Sequence, residues 1–198
     1  MMYVNSEKLP EYWPTHKHSK EFLEHLGRTV ATFGFLEEAL VKAILSFEGN
    51  KTVAVDESEE RIEELLNALE AKLKKAITDT LNPLINAYHE SMQPYCGDNE
   101  KISNDYLNML IKDLKAAADY RNLLCHASWR TPNKEGLSQA FFIRKRNGDH
   151  EIFDTPIGID FFKQVQKHTA ELICNIISTV TVMGWEFPGA STGEKLYE

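Results

Sequence analysis

Leu107–Arg130 reads "LNMLIKDLKAAADYRNLLCHASWR". Leu107, Leu110, Ile111, Leu114, Ala117 and Ala118 recur in steps of three and four, the spacing of one helix face. Ser103 or Asn104 just before them suits a helix start. Continued at the same spacing, the stripe next meets Arg121, Leu124 and Cys125. A guanidinium therefore falls where the pattern calls for an apolar group. Asn122 and His126 follow, four residues apart and on one face. Arg121 and His126 are about 140° apart on an ideal helix. They can converge through the length of the arginine, through fraying of the last turn near Trp129, or across two copies of the chain. Pro132 ends the helix at the latest.

Three further helices flank this one. The first is predicted from about Ser19 to Phe47, with the stripe Leu23, Leu26, Val30, Phe33, Leu40, Ile44, Phe47 and a stop at Gly49-Asn50. Glu37 occupies the stripe position between Phe33 and Leu40. The second starts near Asp56 or Ser58 and carries Ile62, Leu65, Leu66, Leu69, Leu73, Ile77, Leu81, Leu84 and Tyr88. Pro83 should kink that helix or split it. "GDNEK" after Cys96 reads as a loop. The last helix spans about Ile159 to Trp185, with Phe162, Val165, Thr169, Leu172, Ile176, Val180 and Met183 on its stripe. Its extra Ile and Val predict the most enclosed helix. Before it, "QAFFIRKRNGDHEIFD" switches to two short β-prone runs around Asn147-Gly148, a strong hairpin signal.

The expected fold is thus all-α, a four-to-five-helix up-down bundle with one β-hairpin between the third and fourth main helices. Residues 1–18 read as an extended lead-in whose Tyr12 and Trp13 pack on the domain. Residues 19–186 read as one domain, and 187–198 as a flexible tail. The 198 residues suffice for one domain with a sizeable core. Apolar and charged contents of 42% and 26% are those of an ordinary folded chain. A net charge of −8 excludes nucleic-acid binding through the overall field, so any such binding needs a local basic patch. The three widely spaced cysteines do not suggest a disulfide framework. Cys125 and Cys174, inside helical patterns, read as small apolar groups. No apolar leader stands at the N-terminus and no run of 18 apolar residues occurs, so a cytoplasmic protein without a membrane span is expected.

An unpaired buried ion costs several kcal/mol, so Glu37 and Arg121 should meet each other or meet water in a cleft. Arginine offers a planar fork for phosphate oxygens, histidine moves protons near neutrality, and asparagine can orient either. No acid-rich metal cluster accompanies them, and no cofactor is implied. Together they suit transesterification of RNA: the 2′-hydroxyl attacks phosphorus, His126 moves the proton, and Arg121 stabilises the added negative charge. DNA lacks that hydroxyl. The competing reading is structural: an arginine and a histidine at a helix C-terminus can simply cap carbonyls and complement the dipole. Arg144-Lys145-Arg146, with Arg130 and Lys134, could guide a phosphate backbone; equally, it could be a charged hairpin edge. His16-x-His18 has no recognisable third metal ligand. Trp129 and Trp185 read as packing groups.

"RNLLCH" resembles the R-x4-6-H motif of the HEPN superfamily, including its polar residue after the arginine. The motif's place at the end of a late helix and the acid within "FGFLEEAL" are similar too. The resemblance implies a homodimer with the motif at the dimer cleft. It also implies a metal-independent endoribonuclease leaving a 2′,3′-cyclic phosphate, in a toxin–antitoxin, phage-defence or stress setting with an antitoxin or regulatory partner. Arg121, Asn122 and His126 are the motif residues; Glu37 rests on the stripe alone. Ser128 stands where some HEPN toxins carry a modifiable tyrosine. Other members are non-catalytic binding or scaffold domains.

Overall fold

The structure, a computed structural model, describes residues 5–53, 59–97, 100–146 and 149–189. Its main elements are α1 (Lys20–Val53), α2 (Glu59–Thr78), α3 (Leu81–Met92), α4 (Asn104–His126), β1 (Ser128–Trp129), β2 (Ser138–Arg146), β3 (Asp149–Phe153), β4 (Pro156–Ile157) and α5 (Ile159–Thr181). The fold is mainly α, with a four-stranded antiparallel sheet where a single hairpin is expected. β2 is long enough to pair three ways: with β1 at Phe141–Ala140, with β3 along Phe142–Arg146, and with β4 at Ser138–Gln139. The β2–β3 ladder closes at Arg146–Asp149. Asn147-Gly148, the expected turn, lies outside the described residues. So do the expected start of the second helix at Asp56 or Ser58, part of the "GDNEK" loop, and the tail from residue 190.

Helix boundaries follow local chemistry. Ser19 Oγ accepts the Phe22 amide at 3.1 Å and Ser103 Oγ accepts that of Tyr106 at 3.2 Å, capping α1 and α4. Pro83 falls in the first turn of α3, where a missing N–H costs nothing, and the predicted second helix is split into α2 and α3. Gly49-Asn50 does not stop α1. The Asn50 side-chain Nδ2 donates to the Ser46 carbonyl at 2.8 Å, folding back on the helix, which continues to Val53. α5 ends at Thr181, short of Trp185, and a tight turn with Gly184 at φ +87° follows it.

The chain divides into two compact units: Met1–Ala31 with Tyr120–Lys167, and Thr32–Asp119 with His168–Glu198. In the second unit the core is built from Phe33, Leu36, Leu40, Ile44 and Phe47 of α1, with Leu84, Ile85 and Tyr88 of α3. Leu110, Leu114 and Ala118 of α4, and Leu172, Ile176 and Val180 of α5, complete it. Each such large side chain contributes about 1.5–3 kcal/mol by leaving water. Phe47 lies within 6.3 Å of Tyr88, 5.4 Å of Tyr95 and 5.7 Å of Trp185, ring to ring. Leu36, fully buried, holds the α1 stripe, and Glu37 sits half-buried at its margin. Leu66 and Ile77, expected on the core face of α2, are exposed.

In the first unit Phe22, Trp129 and Phe162 form an aromatic triangle with centroids 5.0–5.8 Å apart. Here the expected phase of α1 is off by one residue: Phe22 and Thr29 are buried, while Leu23 and Val30 are exposed. Gln166 of α5 explains the buried threonine, donating to Thr29 Oγ1 at 2.8 Å and to the His25 carbonyl at 3.1 Å. α5 is one-faced rather than enclosed; Lys163, Lys167, Glu171, Cys174 and Asn175 are exposed. Residues 5–18 form turns, not an extended strand, and Tyr12 and Trp13 are 74% and 56% exposed. His18, by contrast, is a packed residue: Nε2 lies 3.0 Å from Ser138 Oγ, and the ring stacks near Phe22.

Candidate functional site

The last turn of α4 sets the site. Leu123 and Leu124 are buried and pin this end of the helix, and the Ala127 amide extends the helical bonding to the Leu123 carbonyl at 2.9 Å. Trp129 then enters the aromatic triangle, so the chain passes from helix to strand within a few residues. With its apolar flank fixed, the turn presents Arg121, Asn122 and His126 outward. Arg121 and Asn122 are half-buried and His126 is exposed. Cys125, expected on the apolar stripe, is exposed instead, as is Cys174. Both are free thiols, as is Cys96.

Arg121, Asn122 and His126 come together. Arg121 Nη1 lies 3.5 Å from Asn122 Oδ1 and 3.5 Å from His126 Nε2. The helix does not fray to achieve this; the arginine's own length spans the angle between positions 121 and 126. A guanidinium only donates, so this contact is a hydrogen bond in the tautomer that carries its proton on Nδ1 and leaves Nε2 to accept. Both contacts, at 3.5 Å, are long for N–H donors. An entering phosphate is the better acceptor. It would draw the guanidinium to itself in a charge-assisted pair and leave the Nε2 lone pair open.

Arg130, four residues after His126, is exposed, with its guanidinium carbon 4.7 Å above the centre of the Phe141 ring. Its carbonyl accepts Ser138 Oγ–H at 2.6 Å and its amide donates to the Gln139 carbonyl at 2.9 Å, so its backbone is fixed by β2. Arg144, Lys145 and Arg146 pair through their backbones with Glu151, His150 and Asp149; their side chains lie outside the described residues. Glu37 belongs to the second unit, where it lines a hollow of about 250 Å³ with Val41, Ile77, Asp79 and Leu84. Among the described residues no group of three or more His, Cys, Asp or Glu could hold a metal ion, and no helix is long and apolar enough to cross a membrane.

The Arg130–Phe141 contact escapes a sequence reading, since the two residues are eleven apart and meet only through the β1–β2 register. Comparison of the chain with protein families, with curated proteins and with solved structures finds no match.

Proposed function

We propose that the protein is an endoribonuclease of the HEPN type, cleaving RNA without a metal ion. The observation that carries this reading is the convergence of the Arg121 guanidinium and the His126 imidazole at 3.5 Å on the end of α4. The pair offers a fixed positive charge beside a proton acceptor. That is what attack of a 2′-hydroxyl on its neighbouring phosphorus requires. In the step, the 2′-oxygen–phosphorus bond forms and the bond to the 5′-oxygen breaks. The 2′-hydroxyl proton passes to His126 Nε2, and the departing 5′-oxygen takes a proton from solvent. The products are a 2′,3′-cyclic phosphate and a 5′-hydroxyl. Asn122 Oδ1 holds the guanidinium in register. A homodimer joining two copies of the site, and a role in defence or stress under an antitoxin-like partner, are part of the same proposal.

A second reading is favoured by one observation: His126 is the basic residue in the last turn of α4, where it complements the helix dipole. On that reading the chain is a non-catalytic HEPN-like interaction or scaffold module. RNA cleavage in EDTA separates the two. The nuclease loses cutting in Arg121→Ala and in His126→Ala while its melting curve holds. The scaffold cuts nothing, and Arg121→Ala lowers its melting temperature.

A further inference from the structure

The sheet of the first unit has two unlike faces. Ser138 and Ala140 of β2 are buried, and Trp129, paired with Ala140, points the same way into the aromatic triangle. The opposite face carries Phe141, Ile143 and Ile152, which are 38%, 48% and 60% exposed. Ile143 and Ile152 are direct cross-strand partners, and Phe141 pairs with Ser128. The Arg130 guanidinium lies over the Phe141 ring on this face. In a chain of net charge −8, this is an exposed aromatic plane with a cation already stacked on it.

Its position matters. Ser128 is two residues past His126, a span of at most about 7 Å of extended chain. Phe141 stands opposite Ser128 at the usual cross-strand separation of about 5 Å. A nucleotide adjoining a phosphate at Arg121 and His126 would therefore reach the ring.

We propose that Phe141 and Arg130 form a stacking subsite for a nucleobase of single-stranded RNA, next to the phosphate engaged by Arg121 and His126. This rests on the ribonuclease reading and adds a determinant of which strand state is bound. A π-face accepts any base, and the guanidinium balances the flanking phosphate. A duplex, whose bases are stacked inside, has none to offer the ring.

The test uses the full chain and a short single-stranded oligoribonucleotide with 2′-O-methyl groups throughout, which block attack, and one 2-aminopurine as a stacking reporter. The wild-type protein should bind it and quench the reporter. Phe141→Tyr keeps the ring and should match wild type. Phe141→Leu keeps an apolar side chain without a π-face and should bind about tenfold more weakly, with quenching lost. Tight binding and full quenching by Phe141→Leu would overturn the inference, even if natural RNA is still cut at His126. No binding by the wild-type protein would overturn it whatever the cleavage assay gives. A change in sedimenting mass in Phe141→Leu with unchanged oligonucleotide affinity would make the face a contact between chains, and would overturn it as well. If natural RNA stays uncut while stacking behaves as expected, the cleavage reading fails and the base subsite stands.

Discussion

The two units each contain an aromatic cluster beside polar groups, and they treat those groups differently. In the second unit the Tyr88 hydroxyl is enclosed. It shares a 2.8 Å hydrogen bond with Thr179 Oγ1, which itself donates to the Ile176 carbonyl at 2.6 Å. Burial drives the Tyr88 pKa far above the ordinary phenol value, against the opposing effect of the Thr179 bond. That group is neutral, short-bonded and inert. In the first unit Phe22, Trp129 and Phe162 pack ring to ring just past the end of α4, while Arg121 lies 3.5 Å from both Asn122 and His126 and His126 faces water. A saturated polar group inside a core serves stability. A titratable group that faces water at the end of a helix, as His126 does, is within reach of a ligand.

The largest expected difference between the two regions is in activity. His126→Ala or Arg121→Ala should reduce RNA cleavage by about a hundredfold or more, with a melting temperature close to wild type. Gel assays in EDTA alongside calorimetry check both halves. Phe47→Ala should do the reverse. It empties the ring cluster shared with Tyr88, Tyr95 and Trp185 and should cost about 3–5 kcal/mol of stability, read by urea denaturation. Activity of whatever remains folded should persist. If Phe47→Ala instead removes cleavage without loosening the fold, the division between the two regions is wrong.

A smaller effect sharpens the account of the enclosed hydroxyl. Tyr88→Phe keeps the ring and removes the bond to Thr179, whose hydroxyl retains its Ile176 partner. The expected loss is about 1 kcal/mol, seen as a shift in urea midpoint with an unchanged slope. The smallest effect is electrostatic. Burial raises the Glu48 pKa, but hydrogen bonds and charge from Lys51 and Lys72 outweigh it and hold the carboxyl below its usual range. A depressed folded pKa contributes stability above the unfolded value of about 4.3 and loses it as the pH falls through the folded value. Glu48→Gln should therefore be less stable than wild type at pH 7, by about 1 kcal/mol or less. The gap should narrow as the pH drops below about 4, in paired melts across that range.

Much of the fold is legible in the sequence. Ser19 and Ser103 mark helix starts because a hydroxyl at a cap leaves a local signature, and Pro83 marks a break for the same reason. The β2–β3 pairing shows in two short β-prone runs around Asn147-Gly148. What escaped depended on distant partners. Thr29 is buried because Gln166 satisfies it, and a polar residue so satisfied looks like surface in a linear pattern. Leu23 and Val30 are therefore exposed although the linear pattern puts them on the core face. Asn50 looked like a stop signal until its amide turned back onto Ser46. The motif residues at 121, 122 and 126 stood out because a charge interrupted an apolar stripe. Their meeting could be posed from helix geometry, but only the arginine's conformation answers it. Arg130 on Phe141 needed the strand register.

The most direct measurement is the chemistry of the RNA ends after incubation with the protein in EDTA. Attack by the 2′-hydroxyl at Arg121 and His126 predicts a 2′,3′-cyclic phosphate on one fragment and a 5′-hydroxyl on the other. Fragments ending in 3′-hydroxyl and 5′-phosphate, or RNA left intact, would contradict it.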